Sequence, residues 1–243
     1  TGTVLALADK LETLCGLFGI GQLPTGDKDP FALRRHALGL IRILIEKNLP
    51  LAVPALVDAG LAAFPEGMLG HATAREDLLH FVYERLMGSL REQGYSAQEV
   101  DAVVALRPSQ WGDIPKRLAA VRAFAALPEA PALAAANKRV ANILKKNEEA
   151  AVALQPALFQ EAAEGQLAEA LQGAAAKADP LFEQGDFTAS LRELAALKAP
   201  VDAFFDAVMV NADDAALRAN RLALLRGLHE AMNRVADLSR LAH

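Results

Sequence analysis

Leu133-Ala134-Ala135-Ala136-Asn137-Lys138-Arg139-Val140-Ala141-Asn142-Ile143-Leu144-Lys145-Lys146 decides how the chain is read. Wound at about 100° per residue, it puts Leu133, Ala136, Val140, Ile143 and Leu144 on one side. Lys138, Arg139, Asn142, Lys145 and Lys146 fall on the other. An apolar stripe of that period calls for other helices to cover it. The opposite face carries four positive charges and meets no acid before Glu148. Its cations suit phosphate oxygens, and the Asn142 amide among them suits a base edge. The bland reading is a solvated helix face, because basic residues are favoured near a helix C-terminus.

Immediately before this stretch stands Leu127-Pro128-Glu129-Ala130-Pro131. Its prolines stiffen the chain and interrupt helix, which reads as a hinge between modules 1–128 and 129–243. The spacing predicts helices at 3–18, from Asp29-Pro30 to about Asn48, and at 52–63, 73–93, 97–105 and 113–126. Beyond the hinge it predicts helices at 132–147, 157–173, 179–184, 187–198, 201–210 and 213–241. Glycines 16, 19 and 21 permit a tight reversal after the first. Asp29 is placed to cap free amides with Pro30 at the first helical position, and Pro50 ends that helix. Ser96 and Glu99 make a capping box, and Asp186 and Asp213 are N-cap candidates. No alternating run bounded by hairpin signals appears. The fold class is therefore all-α, as two helical-bundle modules.

Composition agrees. Hydrophobic residues are 53% of the chain, charged residues 23% and aromatics 5%, which supports a real core built from helices. No apolar run is long enough to cross a bilayer and no signal peptide opens the chain, so no membrane role is expected. Cys15 is the only cysteine. That excludes an intramolecular disulfide and a cysteine-based zinc site, fits a reducing compartment, and makes Cys15 a small core residue. The net charge of −5 argues against a general nucleic-acid coat, so any RNA contact must come from a patch. The chain begins at Thr1 rather than Met and reads as part of a longer protein.

In the last helix Leu217, Leu224, Leu228, Met232 and Val235 form an apolar stripe with Arg221 inside it. A buried arginine needs a carboxylate or carbonyl oxygens, and Asp206 and Asp213 are the nearest acids in sequence; the competing reading is a phosphate contact at the edge of the bundle. Asp9 lacks companions at metal-ligand spacing and reads as half of a surface ion pair. The loop from Gly19 to Gly26 lacks the ending of a phosphate loop. Arg35 and Arg42 share a helix side with Glu46 and read as a solvated face. His36, His71, His80, His229 and His243 show no zinc spacing, and Trp111 reads as a packing plug.

Leu23-Pro24-Thr25-Gly26-Asp27-Lys28-Asp29-Pro30-Phe31-Ala32-Leu33-Arg34-Arg35 resembles the signature stretch of the glycyl-tRNA synthetase β-subunit family. Ala8-Asp9-Lys10-Leu11-Glu12 also fits that family, where it closes a region related to HD-type hydrolases. Phe204-Phe205-Asp206-Ala207-Val208-Met209-Val210 and Leu217-Arg218-Ala219-Asn220-Arg221-Leu222 are similar to the family's tail. Asn137 to Lys146 resembles the first helix of a DALR-type anticodon-binding domain. In place of Asp-Ala-Leu-Arg this chain has Ala215-Ala216-Leu217-Arg218, so no role that needs an acid at 215 is carried over. The resemblance implies that 1–128 holds the end of the HD-like region and the helices after it, and that 129–243 is the DALR-type domain. It implies tRNA contacts at Lys138, Arg139, Asn142, Lys145, Lys146, Arg218 and Arg221, with no catalytic or metal-binding residue and no cofactor in this chain. The implied partners are tRNA(Gly) and an α subunit, within a cytoplasmic α2β2 enzyme. That enzyme is a glycine–tRNA ligase whose ATP and Mg act at the α subunit. Competing readings are an all-helical protein–protein interaction module without RNA contact, and a hydrolase remnant, against which the lack of a metal cluster argues.

Overall fold

The computed structural model describes residues 2–26, 28–147 and 152–242. Thr1, Asp27, Glu148 and His243, on which the sequence reading drew, lie outside the described residues. The structure is all-α. Among the described residues β pairing is limited to two isolated bridges, Thr25 with Lys28 and Ala52 with Gln110. The chain divides into two compact units, Thr1–Val100 with Arg107–Pro115, and Asp101–Leu106 with Lys116–His243.

In the first unit α1 (Gly2–Gly19) packs against α2 (Leu33–Glu46), α3 (Val53–Ala62) and α4 (Ala74–Glu92). Leu7, Leu11, Leu14, Cys15 and Phe18 face inward from α1, the three- and four-residue spacing of an amphipathic helix. Phe18 meets Phe81 of α4 with ring centroids 5.2 Å apart. Burial pushes the Cys15 thiol up to about 11, as desolvation does to any thiol. Trp111 is fully buried, donates Nε1–H to the Pro108 carbonyl at 3.0 Å, and meets Tyr83 edge-on; it is a packing plug.

Asp29 caps α2, but not from the expected register. Its carboxylate accepts from the Leu33 and Arg34 N–H groups at 2.8 and 2.9 Å. Pro30 lies in a turn closed by the Ala32 N–H on the Asp29 carbonyl, and Ala32 takes the left-handed φ of 54°. The helix therefore starts at Leu33, one turn later than a Pro30 start.

The division between units falls within α5 (Ala97–Val104) and within α6 (Ile114–Ala125). The Ser96–Glu99 capping box forms with both reciprocal bonds. The link at Leu127–Glu129 is a pair of consecutive turns that joins α6 to α7 (Ala130–Lys146) inside the second unit.

The second unit is completed by α8 (Ala162–Glu183), α9 (Phe187–Glu193), α10 (Lys198–Ala207) and α11 (Ala215–Met232), with single turns at Pro156–Leu158, Leu194–Leu197 and Leu238–Leu241. α7 packs on α11 and on the Leu238–Leu241 turn; α8 packs on α9, α10 and α11. Three expectations change here. The helices expected at 157–173 and 179–184 are one, because α8 runs through Pro180. Ala176 and Pro180 are both exposed, so water can take the carbonyl that proline leaves without a partner. Buried Ala174 and Ala178 anchor the helix against its neighbours beside the gap. The long helix expected at 213–241 stops at Met232, because Asn233 captures its end. The Asn233 amide donates to the His229 carbonyl at 2.7 Å, and its Oδ1 accepts from the Leu238 N–H at 3.2 Å. Asp214, rather than Asp213, caps α11 through the Leu217 N–H at 3.0 Å, while Asp186 caps α9 as expected.

Candidate nucleic-acid interface

The buried stripe of α7 is Ala130, Leu133, Ala134, Asn137 and Val140. Ala136 is only half-buried, and Asn137 takes the inward position instead. A buried amide needs partners. Asn137 exchanges amide hydrogen bonds with Asn233 at 2.8 and 3.1 Å. Ile143 and Leu144 are half-buried rather than buried, since the last turn of α7 runs beyond its densest packing.

Lys138, Arg139, Asn142, Lys145 and Lys146 are all exposed. They sit at three- and four-residue spacing, so they share one side of the helix. Among the described residues no carboxylate pairs with Lys138, Lys145 or Lys146. Lys145 and Lys146 lie in the last turn, where the partial negative charge of the helix end favours cations. The Asn147 amide closes that end on the Ile143 carbonyl at 2.8 Å.

Arg139 is held differently. Its guanidinium carbon lies 4.1 Å from the centroid of the Phe205 ring on α10, and Phe205 in turn meets buried Phe204 edge-on at 5.5 Å. The ring is thus backed by core, and the cation is laid on it by a cation–π contact.

The two arginines of α11 do not share the α7 face. Arg221 is 5% exposed and Glu164 is 0% exposed. Arg221 Nε and Nη2 donate to the two oxygens of Glu164 at 3.0 and 3.3 Å, and Nη1 donates to the Met209 carbonyl at 2.8 Å. The acid that partners it is Glu164, and neither Asp206 nor Asp213. Glu164 also closes the capping box of α8, accepting from the Glu161 and Gln160 N–H groups at 2.9 and 3.0 Å. Burial pushes the Glu164 carboxyl up, but the bonds from Arg221 and from those two amides together hold it below the usual carboxylate range. Arg218 is half-buried and donates Nη1–H to the Ala212 carbonyl at 2.9 Å. Both arginines therefore fasten the 208–214 connection, which leaves the end of α10 just beyond Phe205.

Sequence reading missed Glu164, Phe205 and Asn137. Glu161 and Glu164 do stand at capping-box spacing, the signal that pointed to a fixed carboxylate there. Elsewhere, Asp9 lies 3.7 Å from Lys10 as a surface pair, and Arg42 pairs with Glu46 at 2.7 Å, which fits a solvated face. Among the described residues no single helix is long and apolar enough to cross a membrane.

Comparison with known proteins adds a family. The family model for the glycyl-tRNA synthetase beta subunit matches residues 1–105, and that for the DALR anticodon binding domain matches residues 133–238. The glycine–tRNA ligase beta subunit of Leptothrix cholodnii is 68% identical over 243 residues, covering 100% of this chain and 34% of its own length. That of Thiobacillus denitrificans is 64% identical over 242 residues, covering 99% and 34%. That of Polaromonas naphthalenivorans is 64% identical over 241 residues, again covering 99% and 34%. The chain spans about a third of the length of these relatives.

Proposed function

The chain belongs to the glycyl-tRNA synthetase β-subunit family, and on that premise we propose that it holds tRNA(Gly) for glycine–tRNA ligation. Residues 129–243 serve as the anticodon-binding domain, and the exposed side of α7 meets the anticodon end. Catalysis, with its ATP and Mg, belongs to the α subunit of a cytoplasmic α2β2 enzyme, and this chain alone activates no glycine. The observation that carries the reading is the α7 face. Lys138, Arg139, Asn142, Lys145 and Lys146 all point outward in the stretch that matches an anticodon-binding domain.

The chemistry follows from what each group offers. Lys138, Lys145 and Lys146 neutralise phosphates and give affinity without sequence preference. Asn142 offers both a donor and an acceptor to a base edge. Arg218 and Arg221 act through the 208–214 connection they fasten, since the Arg221 guanidinium is committed to Glu164 and Met209.

The test is binding of the purified chain to tRNA(Gly) and to an unrelated tRNA across several salt concentrations. Each lysine that touches phosphate and is changed to glutamine should flatten the salt slope by about 0.7. Asn142→Ala should weaken tRNA(Gly) selectively with the slope unchanged. Lys145→Glu with Lys146→Glu reverses the local field. If that variant, folded and within the complete two-subunit enzyme, binds tRNA(Gly) as tightly as the parent, the α7 face is only a solvated surface. Glycine-dependent ATP–pyrophosphate exchange by the chain alone would refute the assignment of catalysis to the partner.

A further inference from the structure

We propose that Arg139 and Phe205 form a stacking platform for one unpaired base of the bound RNA loop. The inference rests on the proposed function and names the subsite within that face. Phe205 lies half-buried beneath the guanidinium of exposed Arg139, with 4.1 Å from the guanidinium carbon to the ring centroid. A guanidinium is planar and weakly hydrated on its faces. A guanidinium laid flat on the ring turns its other face outward, and Arg139 is exposed to present it there as a charged plate. Nucleobases have π-faces that stack on arginine planes and aromatic rings. The plate is held before RNA arrives, so little side-chain freedom remains to be lost on binding.

Its surroundings favour an unpaired nucleotide over a duplex. Asn142 lies three residues along the same side of α7, within reach of the edge of a base stacked on Arg139. Lys145 and Lys146 lie one further turn on, spaced for the phosphate that follows. Met209, 74% exposed, follows Phe205 closely in sequence, and its carbonyl is gripped by Arg221. Bases within a duplex turn their faces to one another and have none to offer the plate. A loop nucleotide supplies one face, one edge and one phosphate.

The experiment uses the full chain and the anticodon stem–loop of tRNA(Gly), with each loop nucleotide made abasic in turn. Arg139→Lys keeps the charge and removes the plane without entering the core. It is expected to weaken the intact stem–loop roughly tenfold with the salt slope unchanged. For one abasic position the parent and Arg139→Lys should bind alike, which identifies the stacked base. Phe205→Leu, checked for folding by its melting curve, should give the same pattern because it frees the guanidinium. If Arg139→Lys binds every stem–loop within about twofold of the parent while Lys145→Glu with Lys146→Glu still loses affinity, the platform is refuted and the RNA face survives. If the parent binds a loop-free duplex or dextran sulfate as tightly as the stem–loop, both readings fall.

Discussion

Arg221 and Arg139 carry the same guanidinium into opposite surroundings within one unit of the chain. Arg221 is enclosed, and its donors go to Glu164 and to the Met209 carbonyl. Arg139 is exposed and lies on one ring. Basic residues in a helical bundle sort by this contrast. A cation taken out of water must be matched by the fold, and once matched it has little left for a ligand. A cation left in water costs the fold almost nothing and keeps its field for a partner.

The largest expected effect lies on the enclosed side. Arg221→Leu should leave Glu164 buried without its cation and cost about 3–5 kcal/mol, read from urea unfolding. A variant that unfolds at the parental midpoint would erase the contrast. Next comes acid. The folded Glu164 carboxyl is held below its ordinary value, so its contribution is present above the unfolded value, near pH ~4.3, and is lost as the pH falls through the folded value. Glu164→Gln should therefore lower stability at neutral pH by about 1–3 kcal/mol and flatten the acid limb of the stability profile. An unchanged acid limb would mean that other carboxylates set it. The smallest effect on stability belongs to the open side. Lys145→Glu with Lys146→Glu should move stability by no more than about 0.5 kcal/mol per substitution, whatever it does to RNA binding. A large loss would mean that the α7 face also has a structural role.

What sequence could reveal divides along similar lines. The helices were legible because apolar spacing and caps are local signals. Asp186, Ser96 and Glu99 act as their positions suggested. The exposed face of α7 was legible because helical period alone separates its two sides. Partners across the bundle were not. Arg221 was recognisable as a buried cation, but Glu164 lies fifty-seven residues away in sequence, and only packing brings them together. Asn137 was hidden because an asparagine on a mixed face gives no sign of Asn233. Phe205 needed α10 laid against α7. Helix ends failed where side chains redirect the backbone, as at Asn233, or where burial outweighs a breaker, as at Pro180.

The lone thiol of Cys15 has a further consequence. It is fully buried beside α3 and pushed up to about 11, so at neutral pH it should react with an alkylating reagent only when the first unit opens. The reaction needs no introduced label and has one site. Its rate, divided by that of an unfolded peptide thiol, counts how often α1 and α3 part. The chain thus contains its own stopwatch for breathing in one unit, and the same trace taken with RNA bound would tell whether a ligand on the other unit slows it.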